Sequence, residues 1–115
     1  MWGVNLRKLD VYQAAVRFLP FAAGIADSLP PRYPAMSYQL RRASLSIPLN
    51  ITEGSGKSTG PDQRRFYAMG RGSAMECAAI IDACRALALI DQPQGQEADE
   101  LLLSAVRMLS KMCRA

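Results

Sequence analysis

Apolar residues recur along the chain at helical spacing. Leu9, Tyr12, Val16, Leu19, Ala23 and Ala26 advance by alternating steps of three and four, which places them on one face of an α-helix. This predicts a first helix over about Asp10 to Ser28, kinked or locally broken at Pro20, where one backbone hydrogen bond is lost. The prolines at Pro30, Pro31 and Pro34 then impose a loop. A second helix is predicted from about Met36 to Gly54, with Leu40, Ser44, Ile47 and Ile51 in one stripe and Ala43 beside it. Pro48 kinks it and cannot donate to the Ser44 carbonyl, which then needs the Ser44 hydroxyl or a side chain from the third helix.

The segment Gly54 to Gly60 reads as a flexible connection, with Gly54 or Gly56 in a left-handed cap conformation. Pro61 is suited to a first helical turn and Asp62 to the positive end of the helix. The third helix has the clearest pattern: Phe66, Gly70, Ser73, Cys77, Ile80, Cys84 and Leu87 keep the spacing throughout. It is expected to end near Ile90, and small residues at Gly70 and Ser73 allow a neighbouring helix to come close. Asp91-Gln92-Pro93-Gln94-Gly95 supplies a turn. A fourth helix runs from about Gln96 to Cys113, with acids at its start and Arg107, Lys111 and Arg114 toward its end, as the helix dipole favours. Strand patterns are nearly absent. The expected fold is all-α, an antiparallel up-down-up-down four-helix bundle forming a single domain over 1–115, without internal repeats.

Composition narrows the chemistry. The 115 residues suffice for one modest core. There is no histidine, which excludes Ser-His-Asp, Cys-His and His-metal chemistry. Cys77, Cys84 and Cys113 lack paired CxxC spacing and read as reduced core thiols rather than zinc ligands or disulfide partners. The first residues, from Met1 to Lys8, contain no uninterrupted apolar stretch of the signal-peptide type, and charges or prolines interrupt every candidate membrane span. A cytoplasmic protein without cofactor or metal is expected. Trp2, the sole indole, is expected at a first-helix or subunit contact.

Charge is uneven. The formal net charge is +4; residues 1–74 hold ten basic and four acidic side chains, the remainder four and six. This suits an anionic partner or a self-complementary assembly. Arg41, Arg42, Lys57, Arg64, Arg65 and Arg71 all fall in the hairpin of the second and third helices, with Tyr38 and Tyr67 as candidate stacking surfaces. Contact with phosphate backbones is the functional reading of this set, and a solvated or salt-bridged helix face is the structural one.

Two other patterns bear on the chemistry. Gly54-Ser55-Gly56-Lys57-Ser58 imitates part of a phosphate-binding loop, but Ile51 occupies the position where that motif needs glycine and no strand precedes it. An ordinary interhelical turn is expected. Glu53 and Glu76 lie near apolar faces, yet without a nucleophile signature they read as structural carboxylates, and no catalytic residue is assigned. Arg42, Ser46, Asn50 and Glu53 advance by four, four and three beside the apolar stripe of the second helix. Ser46, Asn50 and Glu53, with Ser73 and Glu76 on the third helix, are expected to fix helix register or a subunit contact.

The order of these residues resembles a known family. Gln39-Leu40-Arg41-Arg42-Ala43-Ser44-Leu45-Ser46-Ile47-Pro48-Leu49-Asn50-Ile51-Thr52-Glu53-Gly54, then Arg65-Phe66, then Gly72-Ser73-Ala74-Met75-Glu76, is similar to the signature of the four-helix-bundle proteins named for the intervening sequences of 23S ribosomal RNA. The accessory variability determinant proteins of diversity-generating retroelements look related. Thr52 and Gly70 stand where this pattern usually has alanine. The resemblance implies a non-enzymatic homopentamer whose basic surface meets nucleic acid or a nucleic-acid-processing protein. The function expected is an oligomeric bundle that binds RNA or DNA through Arg41, Arg42, Lys57, Arg64, Arg65 and Arg71; the alternative is a protein-interaction scaffold without nucleic-acid binding.

Overall fold

Prolines in the first turn mark where three of the four long helices begin. The computed structural model describes residues 6–114; Trp2 lies outside them. All the described secondary structure is helical: a short turn over 6–8, then α1 (Asp10–Ser28), α2 (Pro34–Ser55), α3 (Gly60–Ala86) and α4 (Gln92–Met112). Leu9, in an extended conformation, separates the first turn from α1, so the described residues carry five helical segments where the pattern predicts four. No helix among them is long and apolar enough to cross a membrane.

Both internal prolines are accommodated, since α1 runs through Pro20 and α2 through Pro48 without a break. The Ser44 hydroxyl does not serve its own carbonyl; it donates to the Arg41 carbonyl at 3.1 Å. The α2 helix starts two residues earlier than predicted, with Pro34 in its first turn, and ends on Gly56 in a right-handed conformation. No glycine among the described residues has a positive φ, which corrects the expected left-handed cap at Gly54 or Gly56. Thr59 caps α3, accepting from the Asp62 backbone amide.

The end of α3 and the start of α4 differ most from expectation. The α3 helix stops at Ala86, where Leu89 N–H donates to the Cys84 carbonyl at 2.8 Å and Ala88 N–H to the Arg85 carbonyl at 3.0 Å. Ala88 takes φ 56°, the left-handed position usually given to glycine. Leu89 and Ile90 still pack on the core after this break, and their apolar character is what extends the sequence pattern beyond the helix. Leu87, expected in the buried stripe, is instead exposed. The α4 helix begins at Gln92 rather than Gln96 because Asp91 and Gln94 form a capping box and Pro93 fits the first turn.

Packing partners follow a consistent order. The α1 helix packs on α2 and α4, and α3 packs on α2 and α4. Between α2 and α3, Arg42 meets Glu76, Ser46 meets Ser73, and Ser55 meets Tyr67, so numbers rise on one helix as they fall on the other. Arg71 with Ser110 and Arg85 with Asp99 show the same relation between α3 and α4. The molecule measures 44 × 23 × 21 Å.

The core holds Phe18 and Ile25 of α1, Leu40, Ile47 and Ile51 of α2, Ile81 of α3 and Leu109 of α4, each worth about 1.5–3 kcal/mol in transfer free energy. The α1 stripe is rotated from the predicted one: Val11, Ala15, Phe18, Ala22 and Ile25 are buried, while Val16 is 40% exposed. Because α1 is apolar around most of its circumference, two stripes satisfy helical spacing, and the bulk of Phe18 and Ile25 decides which one turns inward.

Gly54 is essential to the α2–α3 contact. A Cβ there would lie 2.6 Å from Tyr67 Cε1 and 3.1 Å from the Gln63 carbonyl oxygen. A Cβ at Gly70 would make only ordinary contacts, the nearest at 3.5 Å to Asn50 Cβ. Urea unfolding is therefore expected to show Gly54→Ala less stable by about 1–3 kcal/mol. Gly70→Ala should be more stable by about 0.5–1 kcal/mol, since it fits the space and restores helix propensity. Relief of the left-handed strain gives Ala88→Gly a gain of about 1 kcal/mol.

Candidate nucleic-acid interface

The six basic residues singled out from the sequence occupy different settings. Arg41 pairs with Asp27 at the end of α1. Arg42 pairs with Glu76 of α3 and also donates from Nε to Gln39 at 2.8 Å. The hydrogen bond and the charge of Glu76 raise the Arg42 pKa above its ordinary value, so this guanidinium is held as a cation with its charge already met. Roughly 20 Å of helix separates Arg42 from the end of α2, so Arg41 and Arg42 are not brought together with Lys57, Arg64 and Arg65.

Lys57, Arg64 and Arg65 lie at the α2–α3 turn, whereas Arg71 stands near the middle of α3, about 16 Å of helix from Gly60. Lys57 Nζ is 3.6 Å from Glu53 and 5.0 Å from the centroid of the Phe66 ring. Arg65 Cζ is 4.6 Å from the same centroid, so Phe66 takes two cations. Arg64 lies back along its own helix toward Gly60, where a Cβ would meet Arg64 Nη1 at 2.9 Å. Arg71 points to α4 and donates from Nε to the Ser110 hydroxyl at 2.6 Å. Among the described residues Arg64, Arg65 and Arg71 have no carboxylate within 4.0 Å.

The polar stripe lies along the α2–α3 seam. Ser46 and Ser73 hydroxyls are 2.8 Å apart, and Asn50 Nδ2 donates to the Ser46 carbonyl at 2.9 Å and to its hydroxyl at 3.0 Å. Glu76 extends the seam through Arg42, whereas Glu53 turns to Lys57 within its own turn. Glu53 and Glu76 thus engage different cations and do not form a carboxylate pair. Tyr67, expected as a stacking surface, lies against Gly54 with its hydroxyl 3.2 Å from Ser55; Tyr38 remains exposed.

Helix order distributes charge unevenly. Leu6 lines a cleft with the end of α2, Leu9 to Val11 line another with the end of α4, Tyr67 joins the first turns of α3 to Ser55, and Arg71, near the middle of α3, meets the end of α4. Lys57, Arg64 and Arg65 sit at the α2–α3 turn with Glu53 and Asp62, and Lys111 lines the second cleft with Asp10. The α1–α2 and α3–α4 turns and the helix segments beside them hold Asp27, Asp82, Asp91, Glu97, Asp99 and Glu100 against Arg32, Arg41 and Arg85. Arg85 bridges α3 to α4 there, 2.7 Å from Asp99, with its side chain lying across Gly95.

Sequence reasoning missed Phe66 as the cation acceptor, Ser110 as the partner of Arg71, and Lys111 and Arg114 as further candidate cations. The Arg65-Phe66 adjacency was a visible signal for the first. The α4 residues gave only the helix-dipole signal, because their proximity to α3 is a tertiary fact.

The thiols divide into two kinds. Cys77 and Cys84 are buried, while Cys113 is half-buried beyond the end of α4, which corrects the expectation of three core thiols. Burial pushes the Cys77 thiol up to about 12 and raises that of Cys84. All three are free, and no group of three or more metal-ligating side chains occurs among the described residues.

An all-helical protein with a polar interhelical seam is the class that these features define. The sequence profile of the 23S rRNA-intervening sequence protein family matches residues 7–111. The chain belongs to that family. A search of curated proteins finds no match to it.

Native protein should react with a neutral maleimide at Cys113 alone, with Cys77 and Cys84 modified only on unfolding, as mass spectrometry of digests would show. Stability should also fall as pH rises from 9 toward 12. The unfolded Cys77 thiol ionises near its ordinary value of 9.0 whereas the buried one does not until about 12, so the unfolded state binds fewer protons in that window. Urea titrations should find a shallower decline in Cys77→Ala.

Proposed function

We propose that this chain is a non-enzymatic cytoplasmic protein that binds RNA or DNA through phosphate contacts of its basic residues. Its four long helices form an antiparallel up-down-up-down bundle, a reading supported by the packing order and by the opposed numbering across the α2–α3 and α3–α4 seams. The observation that carries the functional reading is that Arg64 and Arg65 at the α2–α3 turn, and Arg71, Lys111 and Arg114 around the end of α4, have no carboxylate in reach among the described residues. Cations without internal partners are available to phosphates, whereas Arg41 and Arg42 must first leave Asp27 and Glu76.

The bundle assembles with copies of itself. Val16, Leu45 and Leu49 are exposed beside an apolar groove containing Leu19, Pro20 and Ala23 on the α1–α2 side. Met75 and Leu103 flank a second groove with Ala78, Ala79 and Val106 on the α3–α4 side. Two such faces on one protomer suit a heterologous contact that closes into a ring, and the family resemblance supplies the number five. A pentamer repeats these basic residues five times, so weak phosphate contacts reinforce one another on a single polynucleotide.

A protein-interaction scaffold is the second reading, favoured by the Arg41–Asp27 and Arg42–Glu76 pairs, which show carboxylates satisfying these arginines. Its partner is another protomer or a nucleic-acid-processing protein. Fluorescence titration with structured RNA, single-stranded DNA and duplex DNA at two salt concentrations separates the readings. Joint reversal of Arg64 and Arg65 to Glu should weaken binding without unfolding the protein and reduce the salt slope by about 0.7–0.9 for each phosphate that is no longer neutralised. Arg41→Gln with Arg42→Gln should change it much less. Unchanged affinity in the first variant rules out phosphate binding at Arg64 and Arg65, and no binding at low salt by an intact oligomer moves the function to the scaffold.

A further inference from the structure

Arg71 and Arg114 converge on one residue, and neither has a counter-ion among the described residues. Arg71 Nε donates to the Ser110 hydroxyl at 2.6 Å, and Arg114 Nε donates to the Ser110 carbonyl at 3.2 Å. Each guanidinium is therefore held by its inner nitrogen. The outer Nη groups of both take no part in any hydrogen bond or ion pair among the described residues. These two arginines, with Ser110 and Cys113, line a cleft of about 310 Å³.

Two like charges tethered to one residue repel each other. An anion placed between them removes that repulsion and accepts charge-assisted hydrogen bonds from both forks. The Ser110 hydroxyl, which accepts from Arg71, keeps its own hydrogen to donate. The need is for several acceptor oxygens diverging from a compact charged centre, which is the form of a phosphate group. By contrast, the cleft beside Lys57 includes Glu53, whose charge opposes an anion there.

We infer that the Arg71–Ser110–Arg114 cleft binds a phosphate group, either one of a polynucleotide backbone or free inorganic phosphate. Only the assignment to a polynucleotide rests on the function proposed above. Cys113 forms one wall and reports on occupancy, because the other two cysteines are buried.

The test measures the rate of Cys113 modification by N-ethylmaleimide on the full chain at fixed ionic strength. It is run alone, with a single-stranded oligonucleotide, and with inorganic phosphate; oligonucleotide binding is followed in parallel by fluorescence anisotropy. The expected result is modification slowed by about threefold or more at saturation with the oligonucleotide, with added salt reversing the protection. In Arg114→Gln the protection is lost and the salt slope of binding is shallower by about 0.7; Arg71→Gln, with its fold checked by circular dichroism, gives the same result. Oligonucleotide binding without Cys113 protection overturns the cleft and leaves the nucleic-acid reading standing. Protection by inorganic phosphate with no oligonucleotide binding supports the cleft and overturns the polynucleotide assignment. Protection by neither overturns the inference.

Discussion

The close approach of α2 and α3 is the constraint on which the remaining architecture depends. It is possible because Gly54 leaves room for the Tyr67 ring, and it is held in register by the Ser46–Ser73 hydroxyl pair and the Arg42–Glu76 ion pair. The exposed ion pair contributes little to stability by itself. Its value lies in direction: a slip of α3 by one residue would rotate its apolar stripe by about 100° and separate both polar pairs together. Hydrophobic burial alone would tolerate several registers between stripes of similar residues, and the polar seam selects one.

That register determines where charge accumulates. With α2 and α3 joined by a turn rich in small residues, the start of α3 lies beside the end of α2, and the α4 packing brings Ser110 to Arg71. Lys57, Arg64 and Arg65 thereby meet at the α2–α3 turn, Arg71 and Arg114 meet at Ser110, and Asp99 of α4 meets Arg85. The charge difference read along the sequence between residues 1–74 and the remainder is thus transformed in space. Arg114 comes from the acidic part of the chain yet joins Arg71 at Ser110, while Arg41, from the basic part, lies beside Asp27.

Legibility in the sequence followed the range of the interaction. The four long helices and the α2 stripe of Leu40, Ser44, Ile47 and Ile51, with Ala43 beside it, were visible because helical periodicity is local. The rotated face of α1 was not, since an apolar circumference gives the period without the phase. The start of α4 was misplaced although its signal was present, with Asp91 three residues before Gln94 and proline permitted between them. Among the six candidate cations, sequence could place Arg64 and Arg65 in one turn but could not show that Arg41 and Arg42 were engaged by Asp27 and Glu76, because those partners are 14 and 34 residues away. Ser110, 39 residues from Arg71, was beyond reach for the same reason.

The two cation groups differ in how much order binding would require. Lys57 and Arg65 lie against Phe66, an arrangement that limits their motion while leaving their charged heads accessible, and such contacts follow a phosphate backbone without fixing its position. Arg71 and Arg114 are each tied at Nε to Ser110 near the end of α4, which restricts their rotamers before a ligand arrives. Preorganisation of that kind favours one phosphate in one place. A backbone held at the Ser110 cleft and steadied along the Phe66 turn would be bound by general attraction and by a defined point of attachment. No base contact is needed for either, so the proposed binding would depend on charge and shape rather than on sequence.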